Sequence, residues 1–139
     1  MKRRYRLYLD TSFWDRLGDA ASPDRRRLTY QFLTYVRRRH VLLISPLVVD
    51  EVDQTPNPHE RRVIERRMHG AYDIMVSRDS RAAAIGRDLS ARGKFGQGRL
   101  ADLTHVGYAV IGMADAIVTW DVRTFAQPTV RGIVHAYCL

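Results

Sequence analysis

The stretch that most constrains this chain is 116–120 (AIVTW), which is too short and too β-branched for a helix and is followed at once by Asp121. A carboxylate directly after such a run stands at the carboxyl end of a strand, and in open α/β sheets that edge is where ligands bind. The chain opens in the same way: 5–9 (YRLYL) reads as a strand, with Asp10, Thr11 and Ser12 at its end. Two strand tips that each deliver a carboxylate and a hydroxyl point to a metal site.

Strand and helix signals alternate between these two ends. Thr11 or Ser12 is expected to cap a short helix over 13–17 that Gly18 stops. Ser22-Pro23 places a cap before a proline at the first helical position, predicting a helix to about Arg39 with Leu28, Phe32, Tyr35 and Val36 on its inner face. The apolar run 40–44 (HVLLI) fits a strand buried on both faces. Ser45-Pro46 starts a helix over 47–54, broken by Thr55-Pro56-Asn57-Pro58. A helix over 59–69 follows, with Ile64 and Met68 inward and an Arg61–Glu65 pair in support.

Residues 72–76 (YDIMV) read as a third strand, and 78–92 as a helix with Ala82, Ile85 and Leu89 inward, ended by Gly93. A loop over 94–99 leads to the best helical pattern of the chain, 100–113, with Leu103, Val106 and Val110 on one face and Asp102, His105 and Ala109 on another. After the strand at 116–120 come a turn through 123–125 and a last strand over 133–137. Alternation of this kind implies parallel pairing in a layered α/β domain.

At 139 residues the chain is expected to form one domain with a core that needs no covalent staples. No apolar run approaches the ~18 residues of a membrane span, and 5–9 is too short for a signal-peptide core. The one cysteine, Cys138, allows no internal disulfide, so the expected setting is the reducing cytoplasm. The net charge is +8, and all 23 basic residues are arginine except Lys2 and Lys94. Arginine's planar fork bonds two phosphate oxygens at once, so the excess favours a polyanionic partner. Arg37, Arg38 and Arg39, together with Lys94 in its glycine-rich loop, are the substrate-binding candidates.

Four carboxylates stand out: Asp10 and Asp121 at strand ends, Glu51 near a helix start, and Asp102 in the first turn of a helix. Mg²⁺ takes oxygen ligands and keeps several waters, so a few carboxylates around a cavity suffice to hold it. Without a cation such a cluster repels itself and titrates as a coupled set. Helix capping by Asp10 and Asp102 is the plainer alternative. Cys138 is too close to the chain end for a thiol nucleophile. The loop GKFGQG follows a helix rather than a strand, which argues against dinucleotide binding. A phospho-accepting receiver would want a lysine near the last strand, and both lysines are elsewhere.

Four fragments, YLDTSFWDRL, SPLVVDEV, ADLTHVGYA and IVTWDVRTF, in this order and spacing, resemble the PIN-domain nucleases, most closely their VapC-type toxin members. The resemblance spans essentially the whole chain. It implies a three-layer α/β/α sandwich around a mostly parallel sheet of four or five strands. It implies that Asp10, Glu51, Asp102 and Asp121 are the catalytic metal-binding acids, with Thr11 and Thr119 as supporting hydroxyls. Of the adjacent acids Asp50 and Glu51, motif alignment favours Glu51. The same resemblance implies Mg²⁺ or Mn²⁺ as cofactor, RNA as substrate, a cognate antitoxin as partner, and a homodimer. An RNA-processing nuclease without antitoxin and a non-catalytic basic RNA-binding module are the rival expectations.

Overall fold

The computed structural model describes residues 3–93 and 99–121. The elements run β1 (Arg6–Leu9), α1 (Thr11–Asp15), α2 (Pro23–Val36), β2 (Val41–Ile44), α3 (Pro46–Asp53), α4 (Pro58–His69), β3 (Ile74–Met75), α5 (Ser80–Gly93), α6 (Leu100–Ile111) and β4 (Ala116–Val118). Among the described residues the strands form one sheet in the order β3-β2-β1-β4, and each pairing is parallel. This is the α/β class with a parallel central sheet that the alternation of short apolar runs and helices implies. The expected turn at 123–125, last strand at 133–137, Lys94 and Cys138 lie outside the described residues.

Helices α2 and α3 begin as their sequences suggest, with proline in the first turn after Ser22 and Ser45, and α4 begins in the same way at Pro58 after Asn57, a stretch that reads in sequence only as a break. Proline loses nothing there, because that N–H has no helical acceptor and its φ is already set. The residue that caps α1 is Asp10 itself, which accepts from the Phe13 amide, and not Thr11 or Ser12. Those two hydroxyls turn out of the helix toward other elements.

The core lies on both faces of β1 and β2, whose Tyr8, Leu9, Leu42, Leu43 and Ile44 are all fully buried. Helix α2 is rotated from its expected face. Thr29, Leu33 and Val36 point inward, whereas Leu28 and Tyr35 are 51% and 56% exposed and Phe32 is partly exposed. Counting only apolar residues misplaces the face, because its inner position Thr29 is polar. The Thr29 hydroxyl donates to the Arg25 carbonyl and accepts the indole N–H of Trp120 at 2.9 Å, so it is buried without an unmet hydrogen bond.

The third strand is two residues long, where five were expected. The support expected between Arg61 and Glu65 is replaced by a hydrogen bond from Arg61 to the Thr55 carbonyl. Helices α5 and α6 form a close hairpin that packs on β4 through Leu89, Leu103, Val106 and Ile117. Gly107 makes the approach possible, since a Cβ there would lie 2.2 Å from the Ala82 carbonyl oxygen. That closeness fixes α6, which carries Asp102 and His105.

Candidate functional site

The strand order puts β1, β2 and β3 on one side in sequence and then returns β4 to the other side of β1. The point where the order reverses is therefore between β1 and β4, and in open α/β sheets ligands bind just beyond the carboxyl ends there. Asp10 follows β1 and Thr119 follows β4, and the two meet: the Thr119 hydroxyl donates to Asp10 Oδ2 at 2.7 Å. Ser12 donates to Asp10 Oδ1 at 2.7 Å and lies 3.0 Å from the Thr119 hydroxyl. The Trp120 amide donates to Ser12 Oγ and the Asp121 amide to Thr119 Oγ1. Asp121 is thus tethered to the tip of β1 through its own backbone. Ser12 is a member of this site that the sequence places in it only by adjacency to Asp10.

Asp10 is 3% exposed. Burial raises its carboxyl above the ordinary value, and the hydroxyls of Thr119 and Ser12 offset part of the rise. A carboxylate held this far from water needs either a proton or positive charge beside it.

The adjacent acids on α3 separate cleanly. Asp50 points to solvent and pairs with Arg78 at 3.1 Å. Glu51 turns inward, and its Oε1 accepts from the Thr11 hydroxyl at 2.6 Å and meets His105 Nε2 at 2.5 Å. Burial pushes the Glu51 carboxyl up, but the hydrogen bonds from His105 and Thr11 outweigh it and hold it below the usual range. Through Thr11, which directly follows Asp10, the first and second acids share one wall. Asp102 stands one turn before His105 on α6 and is half-buried, as is Asp121. His105, 2% exposed, is the residue whose role the sequence shows least, its signal being its i,i+3 relation to Asp102.

A cleft of about 310 Å³ opens beside Glu51 and is lined also by Asp15, Asp19 and Glu60. Asp15 is pushed up to about 6 by burial and by the negative charges of Glu51 and Asp10. No three His, Cys, Asp or Glu side chains among the described residues are grouped closely enough to hold a metal ion as they stand. The donor chemistry nonetheless suits a hard cation. The inward side chains supply only oxygen beyond His105, they carry excess negative charge, and Mg²⁺ retains most of its own waters. These residues fit a hydrated ion rather than a closed protein cage.

The arginine cluster lies elsewhere. Arg37, Arg38 and Arg39 precede β2, whose first residue Val41 pairs with Arg6 at the start of β1. They stand at the amino edge of the sheet, a strand length of ~13 Å from the Asp10 edge. Arg37 donates to the Gly70 carbonyl, and Arg39 donates to the Tyr35 carbonyl and lies over the Tyr35 ring. Arg25, by contrast, sits over the Trp120 ring with 5.7 Å to its centroid, beside the carboxyl edge.

No helix among the described residues is long and apolar enough to cross a membrane. No family model matches the chain, and no curated protein matches it in sequence. Among solved structures it is similar to VapBC2 from Rickettsia felis, determined bound to a DNA fragment from their promoter. The likeness has a TM-score of 0.64 at 14% identity and covers 89% of this chain and 94% of that chain. The α/β sandwich around a parallel sheet is therefore a fold this chain shares with VapBC2.

Proposed function

We propose that the chain is a divalent-metal-dependent endoribonuclease of the VapC toxin type, cutting RNA phosphodiester bonds. The observation that carries this reading is the placement of Asp10 and Asp121 at the reversal of strand order, with Glu51 joined to the same wall through Thr11. When bound, Mg²⁺ or Mn²⁺ would neutralise the acids, lower the pKa of a water and stabilise charge on the departing oxygen. Asp10, Glu51, Asp102 and Asp121 are the residues that would hold it. Thr119 and Ser12 fix both oxygens of Asp10, and Thr11 and His105 fix one oxygen of Glu51. The arginine excess would hold the phosphate backbone without reading its sequence.

The likeness to VapBC2 supports a cognate antitoxin as partner, and a homodimer is proposed from the motif resemblance of the sequence alone. One observation favours a second reading, a non-catalytic basic RNA-binding module: both Asp10 oxygens already have hydroxyl donors, as a purely structural acid would. Purified protein incubated with total cellular RNA, with Mg²⁺ or with chelator, separates the two. The nuclease reading expects new, mappable RNA ends with Mg²⁺ and none with chelator or in Asp121→Asn. Intact RNA under every condition, with binding retained, would leave the binding module.

A further inference from the structure

Ser45 stands at the N-cap of α3, the position whose hydroxyl normally accepts from the first helical amides, yet its side chain caps nothing there. It is fully buried, and its hydroxyl lies instead 2.7 Å from the Tyr8 hydroxyl. Tyr8, fully buried on β1, is in turn 2.7 Å from His105 Nδ1. His105 Nε2 reaches Glu51 Oε1, so β1, α3 and α6 are joined by a single line of polar atoms inside the core. A local helix signal given up for a distant contact marks a place where fold rules yield to another demand.

We propose that Ser45, Tyr8 and His105 form a positioning relay that fixes the orientation of the Glu51 carboxylate, and this rests on the reading of Glu51 as a metal-binding acid. Proton counting sets its direction. An ionised carboxylate only accepts, so the hydrogen between His105 and Glu51 belongs to Nε2. In the neutral imidazole Nδ1 is then bare and accepts from the Tyr8 hydroxyl. Tyr8 has spent its one hydrogen, so Ser45 donates to the Tyr8 oxygen. The line ends on Oε1, where Thr11 adds a second donor, and the Nε2 hydrogen also faces the Thr11 hydroxyl at the longer distance of 3.4 Å. Among the described residues no donor reaches Oε2. One oxygen of Glu51 is thus tied from two sides, and the other is left to an incoming cation. Histidine bound at one nitrogen and braced at the other holds its ring plane, as it does behind many metal sites.

The test uses the full chain and two readouts. The first is the ¹⁵N spectrum of the His105 imidazole without metal. The parent should show one tautomer with hydrogen on Nε2, and Tyr8→Phe should give a mixture. The second is Mn²⁺ affinity by electron paramagnetic resonance, on variants whose melting curves show them folded. His105→Ala should weaken Mn²⁺ binding roughly 10- to 100-fold. His105→Gln should recover part of that, because its amide can donate where Nε2 did, and Tyr8→Phe should fall between. Parent-like Mn²⁺ affinity in folded His105→Ala would overturn the relay and leave these residues as core packing. A parent that binds no Mn²⁺ at all would instead overturn the metal reading. The relay then stands on a single Nε2–H tautomer that Tyr8→Phe disrupts, and falls if the parent ring already averages its tautomers.

Discussion

At the carboxyl edge of the sheet, Asp10 and Glu51 take hydrogen bonds from Ser12, Thr119, Thr11 and His105, and no arginine among the described residues reaches either of them. At the amino edge, Asp115 accepts from the Arg6 amide at 2.7 Å and from the Arg3 guanidinium at 3.1 Å. Asp73 likewise accepts from the Leu42 amide at 2.8 Å. The amino-edge acids complete the backbone bonding of strand starts, and Asp115 has a cation beside it. At the carboxyl edge burial raises the Asp10 carboxyl, and burial followed by the negative charges of Glu51 and Asp10 raises that of Asp15. Acid content alone does not distinguish the edges. What separates them is the kind of partner: Asp115 has an arginine, whereas Asp10 and Glu51 are held by hydroxyls and His105.

The widest gap between the edges should appear in paired substitutions. On the nuclease reading, Glu51→Gln or Asp10→Asn should lower RNA cleavage about a hundredfold or more, since each would remove a ligand from a charge-stabilising ion worth several kcal/mol. Asp115→Asn should leave cleavage within about twofold while lowering stability by ~1–2 kcal/mol, the scale of a charged hydrogen bond partly open to water. Cleavage assays alongside urea unfolding read both quantities. Loss of cleavage in a folded Asp115→Asn protein would erase the distinction between the edges.

Much of this edge was legible beforehand because strand ends advertise themselves. A β-branched run that stops at an acid needs no tertiary information, and so Asp10 and Asp121 could be placed. The Ser-Pro starts were equally local. The inward turn of Glu51 rather than Asp50 was reachable only through the family resemblance, since the two are neighbours and the helix rotation was unknown. The inner face of α2 was misread because Thr29 earns its burial from Trp120, 91 residues away. Nothing local to Asp115 signals its partner, the Arg6 amide across 109 residues. Ser45 and Tyr8 gave no functional signal, because a capping serine and a strand tyrosine are ordinary in isolation. What stayed hidden is long-range polar pairing, which leaves no period in a sequence.

A second, smaller contrast concerns RNA. The expectation that Arg37, Arg38 and Arg39 grip substrate now competes with their position at the amino edge, where Arg37 and Arg39 are engaged with carbonyls of the fold. Arg25, beside Trp120, is closer to the acids. In an Asp121→Asn background, where cleavage cannot interfere, log affinity should fall with log salt by ~0.7 per phosphate contacted on single strands. Replacing Arg25, Arg26 and Arg27 by Gln should flatten that slope by about one contact or more. The same replacement at Arg37, Arg38 and Arg39 should flatten it less. A reversed order would carry the RNA path over the amino edge.

Acid crowding should also show in stability against pH without any divalent ion. Asp15 titrates from an ordinary 3.8 up to about 6 in the folded chain, burial being the larger cause and the charges of Glu51 and Asp10 the next. Its side chain is exposed by surface area, so screening damps the effect. A raised folded pKa means that the folded state binds the proton more tightly, so this group's contribution is greatest below the ordinary value. It is lost as pH rises from about 4 to about 6, and is flat above. Urea midpoints across that window should therefore fall more steeply in the parent than in Asp15→Asn. Mn²⁺ should narrow the difference by neutralising the charges that cause it. Parallel curves would mean that Asp15 does not sense the other acids.

The smallest effect belongs to the amino edge, in the turn that feeds β4. Helix α6 ends in a paired closure: the Ala114 amide donates to the Ala109 carbonyl at 2.9 Å and the Met113 amide to the Val110 carbonyl at 3.0 Å. This closure needs a left-handed residue between, which is Met113 with φ of 57° and a side chain 77% exposed. Glycine is the usual residue there, because a Cβ in that conformation meets the following carbonyl at a cost of roughly 1 kcal/mol. Met113→Gly should therefore stabilise the chain by up to ~1 kcal/mol, less whatever glycine adds to the entropy of the unfolded state. Cleavage and Mn²⁺ affinity should not change, because nothing in this turn touches the carboxyl edge. Urea midpoints with unchanged slope would establish the gain as one of stability. If the substitution instead altered Mn²⁺ affinity, strain in the α6–β4 turn would have to reach Asp102 and His105 along the helix, and the two edges could no longer be treated as independent.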